Sequence, residues 1–310
     1  MRTKGELMQL GLALNQAETK LPDDAAEYVV APSAPAGQLL KWIGNKQRFA
    51  QGIIAHFPRR YRTYFEPFMG SGAVLGTLSP ERAVGGDAFL PLIDLWKEVR
   101  DRPEQVKQWY RDRHALIAAV GKSVAYKQVL DSYNRYANPA DLLFLSRTCY
   151  GGVIRFRAAD GFMSTPCGPH TAMPPDKFAA RVDDWSKRIA RTELYARSFE
   201  ETIAGAGPGD IVYCDPPYVH SQTILYGAQR FSLEALFRSI EAAKKRGAFV
   251  ALSIDGSKKS GNQLCDIPIP SGLFAREEMV SVGRSMLRRF QMVGESLENE
   301  LVRDRLLLTH

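Results

Sequence analysis

The sequence predicts an α/β protein: a mixed, mostly parallel sheet flanked by helices and interrupted by an inserted, mainly helical segment. Three observations carry this expectation. Short apolar runs bounded by turn residues, RTYFEPF (62–68), RAVGGD (82–87), DIVYCD (210–215) and AFVALSID (248–255), read as strands. Helical patterns lie beside them, FLPLIDLWKEVR (89–100) and SLEALFRSIEAAKKRG (232–247), and strands alternating with helices imply parallel pairing. Between the two groups, residues 104–145 are mostly helical in pattern and break the alternation.

Taken in order, residues 5–18 place Leu7, Leu10 and Leu14 at helical spacing, and APSAPAG (31–37) reads as a linker. KWIGNKQRFAQGIIAHF (41–57) is a turn into an amphipathic helix with Phe49, Ile53, Ile54 and Phe57 on one face. The aromatic strand 62–68 is closed by MGSG, and a helix is expected after it. SRTCYGGVIRFRAADGFMSTPCGPH (146–170) mixes glycine, proline, arginine and aromatics with no clean period. REEMVSVGRSM (276–286) and DRLLLTH (304–310) are candidate closing strands. The division that follows is 1–37 as an extension and linker, 38–100 with 190–310 as the main domain, and 101–189 as an inserted subdomain.

The chain has 310 residues, 45% of them hydrophobic, enough for a substantial core. Lys plus Arg outnumber Asp plus Glu by 41 to 34, a net charge of +7 that fits a polyanionic partner as well as an ordinary basic surface. Cys149, Cys167, Cys214 and Cys265 lie far apart without a C-x-x-C pair, a spacing that argues against a zinc site or a disulfide scaffold. No metal site is expected. Apolar runs fall short of membrane-spanning length, and Glu6, Gln9, Asn15 and Glu18 interrupt the leucines of the first twenty residues, unlike a signal-peptide core. A cytoplasmic protein without a membrane partner is the expectation.

Two motifs suggest chemistry. In EPFMGSG (66–72) the glycines allow a ligand close to the backbone after a strand, although the full dinucleotide fingerprint is missing because the next glycine, Gly76, stands four residues after Gly72. Asp87 ends the next strand, where a carboxylate accepts from both hydroxyls of a ribose. In IVYCDPPYV (211–219) the strand runs into Asp215 and two prolines, which lack the N–H needed to continue a ladder. A carboxylate at Asp215 and the fixed carbonyl of Pro216 suit both N–H groups of an exocyclic amine on an aromatic base, whose lone pair is otherwise delocalised. Tyr218 suits stacking on the base.

Three stretches in fixed order, LLKWIGNK (39–46), YFEPFMGSGAV (64–74) and VYCDPPY (212–218), with a looser match at YGGVIRFRAADGF (150–162), resemble the Dam-type DNA adenine N6-methyltransferases. The resemblance runs from about residue 38 to the end. It implies a Rossmann-like methyltransferase sheet with an inserted DNA-recognition subdomain, S-adenosylmethionine as cofactor and double-stranded DNA as partner, with a cognate restriction nuclease as one open context. By position, Trp42 and Lys46 would contact the cofactor, Lys46 at its carboxylate; Phe68, Gly70 and Gly72 would line the cofactor turn; Asp87 would bind the ribose. Asp215 would sit between the methionine end of the cofactor and the target amine, beside Pro216, with Tyr218 stacked on a flipped adenine. Arg147, Tyr150, Arg155 and Arg157 form a basic, aromatic-interleaved strip suited to DNA contacts. A second cluster, Arg284, Arg288 and Arg289, reads first as a solvated face.

Where relatives usually carry asparagines this chain has Arg157 and Met163, so no target sequence is transferred. The alternatives left open are cytosine-N4 methylation, which the same chemistry serves, and a DNA-binding module that keeps the fold without catalysis.

Overall fold

The computed structural model describes residues 33–157, 159–217, 231–258, 263–264, 267–284 and 301–310. Strands β1 (Tyr64–Glu66), β2 (Ala83–Asp87), β3 (Thr192–Ala196), β4 (Ile211–Cys214), β5 (Phe249–Lys258), β6 (Gln263–Leu264), β7 (Arg276–Arg284) and β8 (Leu301–Leu308) form one sheet. Their order is β3-β2-β1-β4-β5-β8-β7, with β6 paired to β5 off this path. The first five run parallel. β8 lies antiparallel between β5 and β7, as the two closing strands anticipated. From β1 the chain moves to β2 on one side, whereas from β4 it moves to β5 on the other. Connections that leave neighbouring strands in opposite directions open a crevice at their carboxyl ends.

The helices among the described residues are α1 (Ala50–Ile54), α2 (Ala73–Leu78), α3 (Leu90–Asp101), α4 (Pro103–Val120), α5 (Lys122–Tyr136), α6 (Pro139–Thr148), α7 (Pro175–Arg188), α8 (Phe199–Ala204) and α9 (Leu233–Lys245). None is long and apolar enough to cross a membrane. The core has two faces. Leu236, Phe237, Ile240 and Ala243 of α9 pack over Val212, Val250 and Leu252 on one side. On the other, a single apolar cluster joins the sheet to the helical insertion through α3, α6 and α7. Trp96 of α3 meets Trp185 of α7 with ring centroids 5.3 Å apart, and Tyr110 of α4 stacks on Phe178 of α7 at 4.1 Å. Trp185 also crosses α2 closely enough that a Cβ on Gly76 would lie 2.5 Å from its ring, so only glycine fits.

Several boundaries contract for identifiable reasons. The strand expected over 62–68 spans only Tyr64–Glu66, since Pro67 cannot donate to a ladder. The helix after Lys46 is confined to Ala50–Ile54; His56 and Phe57 donate to carbonyls three residues back, a tighter turn that precedes Pro58. Phe57 is still fully buried. β3 has no counterpart in the sequence reading, because it is an edge strand with exposed Glu193 and Tyr195 rather than a continuous apolar run. The helix expected over 5–18 and the first two residues of the 31–37 linker lie outside the described residues.

Candidate active site

β1, β2 and β4 deliver their carboxyl ends to one cavity of about 460 Å³. The chain leaves β1 through a turn in which Gly70 and Gly72 have φ of 47° and 61°, the left-handed region that glycine occupies without steric cost. Gly70 N–H donates to Asp87 Oδ2 at 3.0 Å, and Phe89 N–H donates to Asp87 Oδ1 at 3.0 Å. Asp87 therefore pins the glycine turn to the start of α3. Burial pushes its carboxyl up to about 6, held back by N–H groups from Phe89, Gly70 and Ala88. The Trp42 indole stands over this turn, 3.4 Å from where a Gly70 Cβ would lie.

Asp215 follows the fully buried β4. Its Oδ1 lies 2.8 Å from Lys46 Nζ, which also donates to the Gly44 carbonyl at 3.1 Å. Their side chains are 18% and 6% exposed, so this ion pair is largely withdrawn from solvent screening. Trp42, Lys46, Phe68 and Gly70 line the cavity, as do Asp87, Asp215 and Pro216. Gly72 does not; it is the N-cap of α2, facing Met69, Trp96 and Trp185, and shapes the turn from behind. Tyr218 lies outside the described residues, as do Arg288 and Arg289, and the side chain of Arg284.

The sequence reading passed over Glu66. Its carboxylate Oε2 accepts from Tyr64 O–H at 2.6 Å and from Leu75 N–H at 2.9 Å, while Oε1 meets no donor among the described residues and Glu66 lines the cavity. Burial pushes this carboxyl up to about 8, with the Asp215 charge adding to the rise and the Tyr64 and Leu75 donors opposing it. A signal was present: β1 ends in an acid followed by proline, E-P-F, β4 runs directly into another, D-P-P, and the two strands are neighbours. Phe199 and Phe231 were also missed. They surround Phe68 on the cavity wall, with centroids at 5.2 Å and 5.9 Å.

The raised Glu66 carboxyl has a consequence for stability. Between pH 4.5 and about 8 the folded state keeps a proton that the unfolded chain has released, so stability falls as pH rises through this window. In urea titrations across it, the Glu66→Gln variant is expected to match the parent near pH 4.5 and to exceed it, by on the order of a few kcal/mol, near pH 8.

The basic strip needs one correction. Arg147 is buried, 5% exposed, and its guanidinium donates to the Gln38 and Leu39 carbonyls and lies over the Phe178 ring. It fastens α6 to the segment leading into Trp42 and is not on a DNA-accessible surface. Tyr150, Arg155 and Arg157 are exposed, outside the cavity. Arg157 pairs with Asp160 at 2.6 Å and covers the Phe162 ring.

A mostly parallel sheet with a switch point, a glycine turn tied to an acidic strand end, and a second acid–proline strand end on the same cavity define an α/β methyltransferase. The chain belongs to the D12 class N6 adenine-specific DNA methyltransferases, whose family profile matches residues 42–264, more than half of its length. It is 27% identical to the type II methyltransferase M1.LlaDCHI of Lactococcus lactis subsp. cremoris, over 70% of this chain and 80% of that protein. It is 25% identical to a DNA adenine methylase of Vibrio cholerae serotype O1, over 69% of this chain and 79% of the other. With the DNA N-6-adenine-methyltransferase of Escherichia phage P1 it shares 26% identity over 76% of this chain but 32% of that longer protein. Among solved structures, an rRNA methyltransferase, aviRa from Streptomyces viridochromogenes, covers 90% of this chain with 16% identity and a TM-score of 0.34, too low to carry any argument.

Proposed function

We propose that this protein transfers the methyl group of S-adenosylmethionine to the N6 amine of an adenine extruded from double-stranded DNA. The observation that carries the reading is that Asp215, at an acid–proline strand end, shares one cavity with the glycine turn and Asp87.

The residues present suit the cofactor. Asp87 lines the cavity where ribose hydroxyls would lie, Phe68, Phe199 and Phe231 offer aromatic faces to a purine, and Glu66, whose carboxyl a bound cation would draw toward its charged form, suits an ammonium. S-adenosylmethionine supplies a methyl group on a positively charged sulfur. The chain's own groups act on the nucleophile. The Asp215 carboxylate and the Pro216 carbonyl accept the two N–H bonds of the adenine amine and favour a pyramidal nitrogen, aiming its lone pair. As the nitrogen bonds to carbon it becomes cationic and must shed a proton, and the Asp215 carboxylate is the acceptor already hydrogen-bonded to it. Lys46 holds that carboxylate in position. Lys46 also lines the cavity, where a cofactor carboxylate can approach its ammonium. Tyr218, two residues beyond Pro216, is assigned to stacking on the extruded base.

In this reading 38–100 and 190–310 perform catalysis in the cytoplasm, and 101–189 presents Tyr150, Arg155 and Arg157 to the duplex. Phosphate contacts of this kind make binding weaken with salt. The test is incubation of the protein with labelled cofactor and mixed-sequence duplex DNA, followed by digestion to nucleosides and identification by mass. N6-methyladenosine of the deoxy series is expected. N4-methylcytosine as product, higher activity on RNA than on duplex DNA, or no incorporation would each overturn it.

A further inference from the structure

The four cysteines are scattered in sequence, but the fold sets two of them face to face. Cys149 follows α6 and Cys167 ends the hairpin that returns from residues 150–166, and the two form an antiparallel bridge. The flanking bonds fix its type: Tyr150 N–H donates to the Pro166 carbonyl at 2.8 Å and Gly168 N–H to the Thr148 carbonyl at 2.8 Å. Cys149 and Cys167 are thus a directly opposed pair that does not itself exchange hydrogen bonds, the kind whose Cα atoms approach to about 4.5 Å with side chains on one face. That separation falls at the short edge of the range a disulfide spans, roughly 4.4–6.8 Å. We propose that Cys149 and Cys167 are a paired modification site that closes to a cross-strand disulfide by exchange with a low-molecular-weight disulfide.

Accessibility sets the order of events. Cys149 is buried and Cys167 half-buried, while Cys214 is fully enclosed in β4. Cys167 Sγ, deprotonated, attacks one sulfur of the small disulfide and expels one thiolate, leaving a mixed disulfide. Cys149 Sγ, deprotonated in turn, attacks Cys167 Sγ and expels the second thiolate. The two thiol protons end on the two expelled thiolates, and the small disulfide is the species reduced. Burial pushes the Cys149 thiol up to about 12 and also raises that of Cys167, so closure is slow near neutrality and quickens as pH rises.

The link would tie the base of the hairpin bearing Arg155 and Arg157 to the end of α6, which Arg147 fastens to residues 38 and 39. Gly152 of the same hairpin already abuts Lys41, where an added Cβ would lie 2.9 Å from the lysine Cβ. None of this depends on the methyl-transfer reading.

The experiment treats the full-length folded protein with oxidised glutathione at mildly alkaline pH, then alkylates it in denaturant and maps peptides by mass. Expected is a Cys149–Cys167 cross-linked peptide pair, with the thiols of both residues no longer open to alkylation. The Cys149→Ser variant is expected to keep a glutathione adduct on Cys167, and the Cys167→Ser variant to leave Cys149 unmodified. A parent protein that stops at the Cys167 adduct, links either residue to Cys214 or Cys265, or loses no thiols overturns the proposal. So does a glutathione adduct on Cys149 in the Cys167→Ser variant.

Discussion

Replacing Asp215 by alanine is expected to lower methyl transfer by about 10²–10⁴-fold while duplex binding changes little. The expectation follows from the position of the carboxylate. It is the acidic group directly after β4, next to the proline whose carbonyl the proposed mechanism makes its partner at the amine, and it borders the cavity apart from the exposed arginines of the insertion. Binding energy to phosphates is therefore spared, whereas the contact realised as the nitrogen becomes cationic is lost. Removing Asp215 also leaves Lys46 buried without its counter-charge. The Asp215→Asn variant loses the same charge but keeps the size and one acceptor oxygen for the Lys46 ammonium, so its folding cost is smaller; with folding checked by thermal denaturation, it should still transfer poorly. Turnover of either folded variant within about tenfold of the parent would sink the assigned role.

The second large effect concerns Lys46. The resemblance assigned it to the cofactor's carboxylate, and the structure sets it 2.8 Å from Asp215 as well. The two roles give different kinetics. If the ammonium serves only the cofactor, Lys46→Met raises KM for S-adenosylmethionine and leaves kcat unchanged. With the ion pair, the variant is expected to lose about 10–100-fold in kcat too, because Asp215 then loses the ammonium that orients its carboxylate and favours its charged form. The acid limb of the pH–rate profile should move to higher pH for the same reason, and Lys46→Arg should restore part of the rate. An unchanged kcat and an unmoved acid limb would confine Lys46 to cofactor binding.

Much of the site was legible because its signals are local. Prolines after Glu66 and Asp215 stop their strands whatever surrounds them, and the glycines after Phe68 make a turn that other residues would strain. The order of the apolar runs also implied which strands are parallel. What stayed hidden were contacts between distant segments. Arg147 looked like a DNA-facing arginine because it lies among Tyr150, Arg155 and Arg157, yet it closes onto the Gln38 and Leu39 carbonyls. Edge strand β3, half exposed, lacked the continuous apolar run that identified its neighbours.

The sequence by itself determined the sheet's alternating plan, the glycine turn and the two acid–proline strand ends, since each depends on backbone chemistry within a few residues. Only the tertiary structure decided that Lys46 meets Asp215, that Glu66 joins them on the cavity wall, and that Cys149 faces Cys167. Periodicity tells which side of an element is apolar. The partner each polar atom finds across the fold depends on strand order and helix placement, which burial of the whole chain sets at once.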